Sequence, residues 1–264
     1  ISIIALLIAI LLPALGAARQ SARQMQNSVS LRSLHQASSV YGIDNDGWYQ
    51  GLDSGGEPLS GPEVTAKTSS AGNFWNNPGH FVLPRHAILA YEDVIAYEHI
   101  VSPMEVNETR AVWDGVANFS HNFFSYAVLD LGPMTGNANN PGIAAGNQAV
   151  KAWSVDGGDS QTPIFSDRNT DTAAQSPPSA DPGKSVWNED QWIGGVAWND
   201  GHTTFENSPV MGSTSLPSGR VRDDPLFDDA TNSELGLARG QHVRMLKFND
   251  ERTYGVFGNP LIAP

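Results

Sequence analysis

The chain begins with eighteen residues that include no charged side chain, ISIIALLIAILLPALGAA. As a helix this run is about 27 Å long, close to the thickness of the hydrocarbon core of a bilayer. An exposed apolar rod of that size is unstable in water, so the segment must lie in lipid or against other helices. The rest of the chain must therefore fold as a domain that is anchored through this segment.

The helix is predicted to continue beyond the apolar run. Residues 19–42 read RQSARQMQNSVSLRSLHQASSVYG, with three arginines and no acidic residue. Apolar positions three or four apart predict a helix with one buried flank; they are Ala22, Met25, Val29, Leu31, Leu34 and Tyr41. The opposite face is predicted to contact water or neighbouring subunits, and it carries Arg19, Gln20, Arg23, Gln26, Asn27 and Arg32.

We therefore predict a helical stem over 1–43, apolar over 1–18 and polar over 19–43, on the order of 63 Å long. Pro13 removes a helical hydrogen bond and Gly16 lowers helix stability, so these two positions are predicted to let the stem bend or melt.

Charge is distributed unevenly along the chain. The formal net charge is −13, but residues 1–43 contribute +3, which leaves 12 basic against 28 acidic residues, or −16, on the remainder. An acidic domain repels phosphate backbones, which excludes nucleic acid as a partner. There is no cysteine, which excludes disulfides, thiolate nucleophiles and Cys-ligated metals.

Residues 44–264 are predicted to form one acidic globular head of the α+β class, with an antiparallel sheet packed on the upper stem. Asp44-Asn45-Asp46-Gly47 is a turn signal that ends the stem helix. Alternation around Asn199-Asp200-Gly201 predicts a hairpin over 192–205 with a type I′ turn. The other predicted elements are a helix over 87–101, strands over 123–131 and 162–165, a second hairpin over 243–257, and long loops over 132–158 and 169–184.

The N-terminal sequence resembles the prepilin-type segment of type IV pilins and type II secretion pseudopilins, in particular a bacterial group with large heads. Residues 1–24 match the family's apolar segment after its first residues, and Pro13 has a counterpart there. Residues 30–50, 163–170 and 194–205 are similar to later family segments. The resemblance implies that about nine residues precede Ile1 in the family, among them the glutamate used in assembly.

The family also has a C-terminal signature of His, nine residues, then Asp-Gly. Asp200-Gly201 is present here, but Asp190 stands where the histidine would be.

The resemblance implies a structural subunit, not an enzyme, that polymerises into a type IV pilus-like or pseudopilus filament. Implied partners are further copies of the chain, a prepilin peptidase, the assembly machinery and, before assembly, the cytoplasmic membrane. The filament would then span the periplasm or extend outside the cell. Residues expected to pack in its core are Ile1, Ile3, Ile4, Leu7, Ile8, Leu11, Leu12, Pro13, Leu15 and Gly16.

The alternative is a membrane-anchored monomeric module whose head binds carbohydrate or calcium. Acidic turns supply the oxygen ligands that calcium takes, and the resemblance favours the run Asp223, Asp224, Asp228 and Asp229. Seven tryptophans suit stacking on sugars, although core packing is the commoner use of this residue. No motif of nucleophile, metalloprotease or phosphate-loop chemistry occurs, so the sequence predicts no catalytic residue.

Overall fold

A computed structural model describes the following residues of the chain: 2–56, 82–105, 110–116, 119, 121–129, 131, 134–137, 140–143, 148–170, 184–217, 219–227 and 245.

The chain is a long helix followed by an α+β head. The helices are α1 (Ser2–Asp44), α2 (Val82–Tyr91) and α3 (Gln148–Ala152), with 3-10 turns at Tyr97–His99 and His121–Phe123. The strands are β1 (Tyr126–Val128), β2 (Met134–Asn137), β3 (Asn140–Ile143), β4 (Pro163–Asp167), β5 (Gly194–Trp198), β6 (Thr203–Glu206), β7 (Val210–Leu216) and β8 (Gly219–Pro225).

Helix α1 confirms the predicted stem and runs through Pro13 and Gly16 without interruption. Its end is also as predicted. The Gly47 N–H donates to the Gly42 carbonyl at 2.8 Å, and Asp46 (φ 50°) and Gly47 (φ 89°) take left-handed conformations. This is the six-to-one closure of a Schellman motif, which turns the chain away from the helix axis into the head.

The head is built on one antiparallel sheet in the order β1-β4-β5-β6, and β2-β3 and β7-β8 form two separate hairpins. Strands β4 and β5 are buried along their whole length. Helix α1 lies across this sheet and contacts β5 most extensively, then β6 and β4. The predicted antiparallel sheet on the upper stem is therefore confirmed.

Close packing of α1 on the sheet depends on Gly195 in β5. A Cβ atom at this position would lie 2.5 Å from Leu31 Cδ1 and 2.7 Å from Asn27 Nδ2. Both of those side chains belong to α1 and are fully buried. The missing side chain at Gly195 thus sets how near the stem approaches the head.

The β5–β6 hairpin lies where it was predicted, but its turn is of a different type. The Gly201 N–H donates to the Trp198 carbonyl at 2.9 Å, and Gly201 has φ 85°, while Asn199 and Asp200 are not among the described residues with positive φ. A type I′ turn needs positive φ at two central residues. Residues 199–201 instead form a three-residue loop between Trp198 and His202, in which the left-handed Gly201 reverses the chain.

Other predictions in the head are partly correct. Helix α2 begins before the predicted 87–101 helix and ends at Tyr91, since Asp93 (φ 51°) reverses the chain. The segment 132–158 was predicted to be a loop but contains β2, β3 and α3. The prediction failed because elements of four or five residues are too short to show a periodic pattern in the sequence. The second predicted hairpin lies outside the described residues, apart from Met245, which bridges to Leu129.

Candidate functional site

The lower half of α1 is an uncovered apolar surface. The large side chains from Ile3 to Leu15 are each 49–74% exposed, and no described residue of the head packs on them. Of the predicted filament-core residues, Ile1 lies outside the described part of the chain. The others share this surface: Ile3, Ile4, Leu7, Ile8, Leu11, Leu12, Pro13, Leu15 and Gly16.

Helix α1 has the length and composition to cross a membrane. Its most apolar window has a mean hydropathy of 2.0, and none of that window is buried inside the protein. A core helix of a soluble protein can be equally long and apolar but is mostly buried, and a signal sequence near an N-terminus has the same composition. The apolar half of α1 is therefore surface that no described residue of the head covers.

The upper half of α1 does not bury the flank that its sequence predicts. Leu31 and Leu34 are buried against the head as expected, and so is Ala37, but Met25 is 70% and Val29 55% exposed. The residues predicted to form one flank therefore lie on two sides of the helix. The head covers the side centred on Leu31 and Leu34, and the side with Met25 and Val29 stays exposed.

Asn27 was predicted on the exposed face and is instead fully buried at the stem–head junction. Its Nδ2 donates to Asp167 Oδ2 at 2.7 Å. Its Oδ1 accepts from the Tyr126 hydroxyl at 2.8 Å and from Ser102 Oγ at 3.3 Å. The prediction failed because polarity was read as exposure; Asn27 lies four residues before Leu31 and seven before Leu34, on the same side of the helix.

Asp167 is the centre of this junction. Its Oδ2 accepts three hydrogen bonds, from Asn27 Nδ2, from the Gly195 N–H at 2.7 Å and from Trp187 Nε1 at 2.8 Å. Its Oδ1 is buried without a hydrogen-bond partner. Burial raises the pKa of Asp167 to about 6, against the lowering effect of its three donors and with a further rise from the charge of Glu105. Asn27 of the stem is thus tied to the sheet through a carboxyl whose pKa is raised by its burial.

An ion pair lies beside the junction. Arg168 Nη2 is 2.7 Å from Glu105 Oε1, and Arg110 Nε is 3.6 Å from Glu105 Oε2, with all three side chains almost fully buried. Buried pairs of this kind gain little net stability but cost several kcal/mol when one partner is removed, on the order of 3–5. The pair with Arg168 holds Glu105 beside the residue that follows β4, and Ser102 of the same loop donates to Asn27 Oδ1 in α1.

Two buried groups contribute to the pH dependence of stability with opposite signs. Asp167 binds its proton more tightly in the folded state, so its contribution is fully present below about pH 4 and is lost as the pH rises through about 6. Burial lowers the pKa of His86 to about 4, so its contribution is present above about pH 6.5 and is lost as the pH falls through about 4. In the wild-type chain these two effects oppose each other.

We expect Asp167→Asn to expose the effect of His86. Between pH 6.5 and pH 4 the variant should lose about 3 kcal/mol more stability than the wild type, since two pKa units correspond to about that free energy. Urea unfolding of the detergent-solubilised chain at several pH values measures it. His86→Gln should change the profile in the opposite direction. Parallel profiles for Asp167→Asn and wild type would show that Asp167 is ionised in the folded protein.

The described residues do not show a calcium site at the predicted ligands. Asp223 and Asp224 lie in β8, and Asp228 and Asp229 lie outside the described residues. Within the described part of the chain there is no group of three acidic or histidine residues placed to hold a metal. Calcium binding therefore stays a prediction.

Most described tryptophans serve the core. Trp153 and Trp192 are fully buried, and Trp113 and Trp198 are nearly so. Trp153 packs edge-on against Tyr49 and Phe165 at centroid distances of 5.5 and 5.6 Å. These four rings offer no free face to a sugar, so they do not support the carbohydrate-binding alternative.

An open groove of about 730 Å³ lies on the outer side of the upper stem. It is bounded by the β5–β6 turn, where His35 Nε2 is 2.9 Å from the Asn199 carbonyl oxygen. Its lining residues are Arg32, His35, Gln36, Ser39, Val40, Ile43, Asp200 and Gly201. Sequence reasoning did not find this groove, because it joins residues more than 150 positions apart.

Protein-family models, curated proteins and solved structures give no match to this chain. The resemblance to pilins and pseudopilins rests on the sequence, chiefly on residues 1–24 and 30–50 and in the head only on short segments. The structure supplies the coarse shape: a long apolar N-terminal helix followed by an α+β head with an antiparallel sheet.

Proposed function

We propose that this chain is a structural subunit that polymerises through its N-terminal helix into a pilus-like or pseudopilus filament. The observation that carries the proposal is the uncovered apolar surface from Ile3 to Leu15, which the described head does not touch. Packing many such helices together along an axis buries that surface without lipid. The acidic heads then form the outside of the filament.

The stem–head junction supports a rigid subunit. The upper half of α1 is held by Leu31 and Leu34 in the core and by the hydrogen bonds of Asn27 to Asp167 and Tyr126. A helix fixed in this way keeps its lower half at a constant angle to the head. Constant geometry is what a repeating helical assembly requires.

Before assembly the same apolar segment would reside in the cytoplasmic membrane, to which its length and hydropathy are suited. Arg19 and Arg23, which follow the apolar run, would lie at the membrane surface. Leaving the membrane then exchanges lipid contacts for contacts with other stems. Cleavage by a prepilin peptidase and engagement of assembly machinery remain implications of the sequence resemblance.

Electron cryo-microscopy of material sheared from cells that express the full-length protein tests the proposal. Ordered fibres with the stems bundled at the axis and the heads outside are the expected result. If the chain is recovered only as detergent-soluble single particles, the filament proposal fails, and membrane-anchored display of the head becomes the better explanation of α1.

A further inference from the structure

The outer side of the stem carries a stripe of small and apolar residues that the head leaves uncovered. We call it the dorsal stripe. Its members follow at intervals of three or four residues on the side of α1 opposite Leu31 and Leu34, and all of them are exposed. They are Ala18, Ala22, Met25, Val29, Val40 and Ile43, with Arg32 and Gln36 in the same row between Val29 and Val40.

The inner side of the stem, just below the head, is basic. Arg23 Nη1 lies 3.4 Å from Met104 Sδ, which places Arg23 under the lower surface of the head. Arg19 lies one helical turn further down on the same side. Both arginines are exposed, and neither forms an ion pair with a described residue.

The upper end of the stem is acidic. Asp44 is the last residue of α1, and Asp46 lies in the turn that follows. Both are exposed, and within the described part of the chain neither pairs with a cation. Arg19 and Asp44 are separated by 25 residues of straight helix, or about 38 Å, so the two ends cannot neutralise each other within one molecule.

We propose that the dorsal stripe binds the apolar segment of a second copy, parallel and displaced upward by about 25 residues. This offset lays Ile4–Ala18 of the second copy along Val29–Ile43 of the first. It also brings Arg19 and Arg23 of the second copy beside Asp44 and Asp46 of the first. The inference rests on the proposed filament and specifies how neighbouring stems are aligned within it.

Each part of this arrangement has a separate physical role. The apolar contacts provide most of the free energy of association, because they remove from water two surfaces that are exposed in the single chain. Apolar stripes alone permit sliding by a turn, so the charge pairs select one offset, as flanking charges do in coiled coils. The groove beside Val40 and Ile43 gives the upper end of the stripe the concave shape to receive a helix.

Disulfide trapping tests the offset directly, because the chain has no cysteine of its own. The variant Leu15→Cys/Val40→Cys should form intermolecular crosslinks in fibres under mild oxidation. The matched control, Leu15→Cys/Val29→Cys, has an offset of 14 residues. Neither pair can close within one helix, since a disulfide needs Cα atoms within about 7 Å. We expect at least tenfold more crosslinked dimer from the first pair.

Exchanging the charges of Arg19 and Asp44 tests whether this pair selects the offset. Arg19→Asp and Asp44→Arg should each lower the yield of fibres at least tenfold, and the double variant should restore it to within about twofold of wild type. Asp44 ends α1 without a described partner, so its replacement leaves the head intact. If the wild-type chain forms fibres, equal crosslinking in the two cysteine variants, or a double charge variant without recovery, would overturn this alignment alone. A wild-type chain that forms no fibres would overturn the filament proposal itself.

Discussion

Leu7→Asp should abolish assembly of this protein while leaving its head folded. Leu7 is 55% exposed and contacts no residue of the described head, so the substitution removes nothing from the fold. In a bundle of stems, the same aspartate is removed from water among apolar side chains, and at the proposed offset Arg32 of a neighbouring copy is the cation aligned with it. Desolvating a carboxylate costs several kcal/mol, and pairing with one arginine repays this only where the geometry is excellent. The cost repeats in every subunit. We expect at least a hundredfold loss of fibres counted by electron microscopy of sheared material.

The matched control for Leu7→Asp is Val116→Asp. Val116 is 88% exposed, but it lies in the head, far along the chain from the stem. Fibre yield should stay within about twofold of wild type, and both variants should unfold at the wild-type urea concentration. Fibres of normal abundance from Leu7→Asp would show that the apolar half of α1 is not the assembly surface. The fraction of Leu7→Asp that remains in the membrane should also be measured, since a charge at the centre of a membrane helix costs about 3 kcal/mol.

Gly195→Ala should weaken the packing of the stem on the sheet. The added methyl group would lie 2.5 Å from Leu31 Cδ1 and 2.7 Å from Asn27 Nδ2, closer than atoms can approach. Relief requires these two buried side chains to move or α1 to shift, and a displaced Asn27 strains its bond to Asp167. Overpacking costs about 1–3 kcal/mol and a disrupted buried hydrogen bond about 1–3 more. We expect a loss of about 3 kcal/mol in urea unfolding and faster proteolysis between α1 and the head.

Gly212→Ala is the control for this substitution. Gly212 lies in β7, where a Cβ atom meets nothing within 4 Å. Replacing glycine in open space usually changes stability by less than about 1 kcal/mol, often as a gain. Equal stability losses in the two variants would mean that close approach at Gly195 does not determine the docking of the stem.

The stem was predictable because its signals are local. The uncharged run, the polar continuation and the Asp-Asn-Asp-Gly turn after it predict a helix whose observed end, Asp44, is one residue beyond the expected one. The β5–β6 hairpin was also predictable, from alternation on both sides of a short loop. In each case neighbouring residues determine the conformation.

The junction was not predictable, because its members meet only in the folded chain. Asn27 and Asp167 are 140 residues apart, and nothing near either residue signals the other. The available signal was spacing: Asn27 precedes Leu31 by four residues, which places it on the buried side despite its polarity. Similarly, the groove beside Ile43 depends on the β5–β6 turn approaching His35, which is a matter of tertiary packing.

In the proposed filament, the packing of α1 on the sheet determines how a subunit resists a pulling force. A force that draws the head along the stem axis acts parallel to the contact between α1 and β5, so Leu31, Leu34 and the Asn27 bonds to Asp167 and Tyr126 bear it together. Contacts loaded in shear must fail almost simultaneously, whereas contacts that are peeled fail one after another. A subunit built in this way transmits tension between its stem and its surface with little extension.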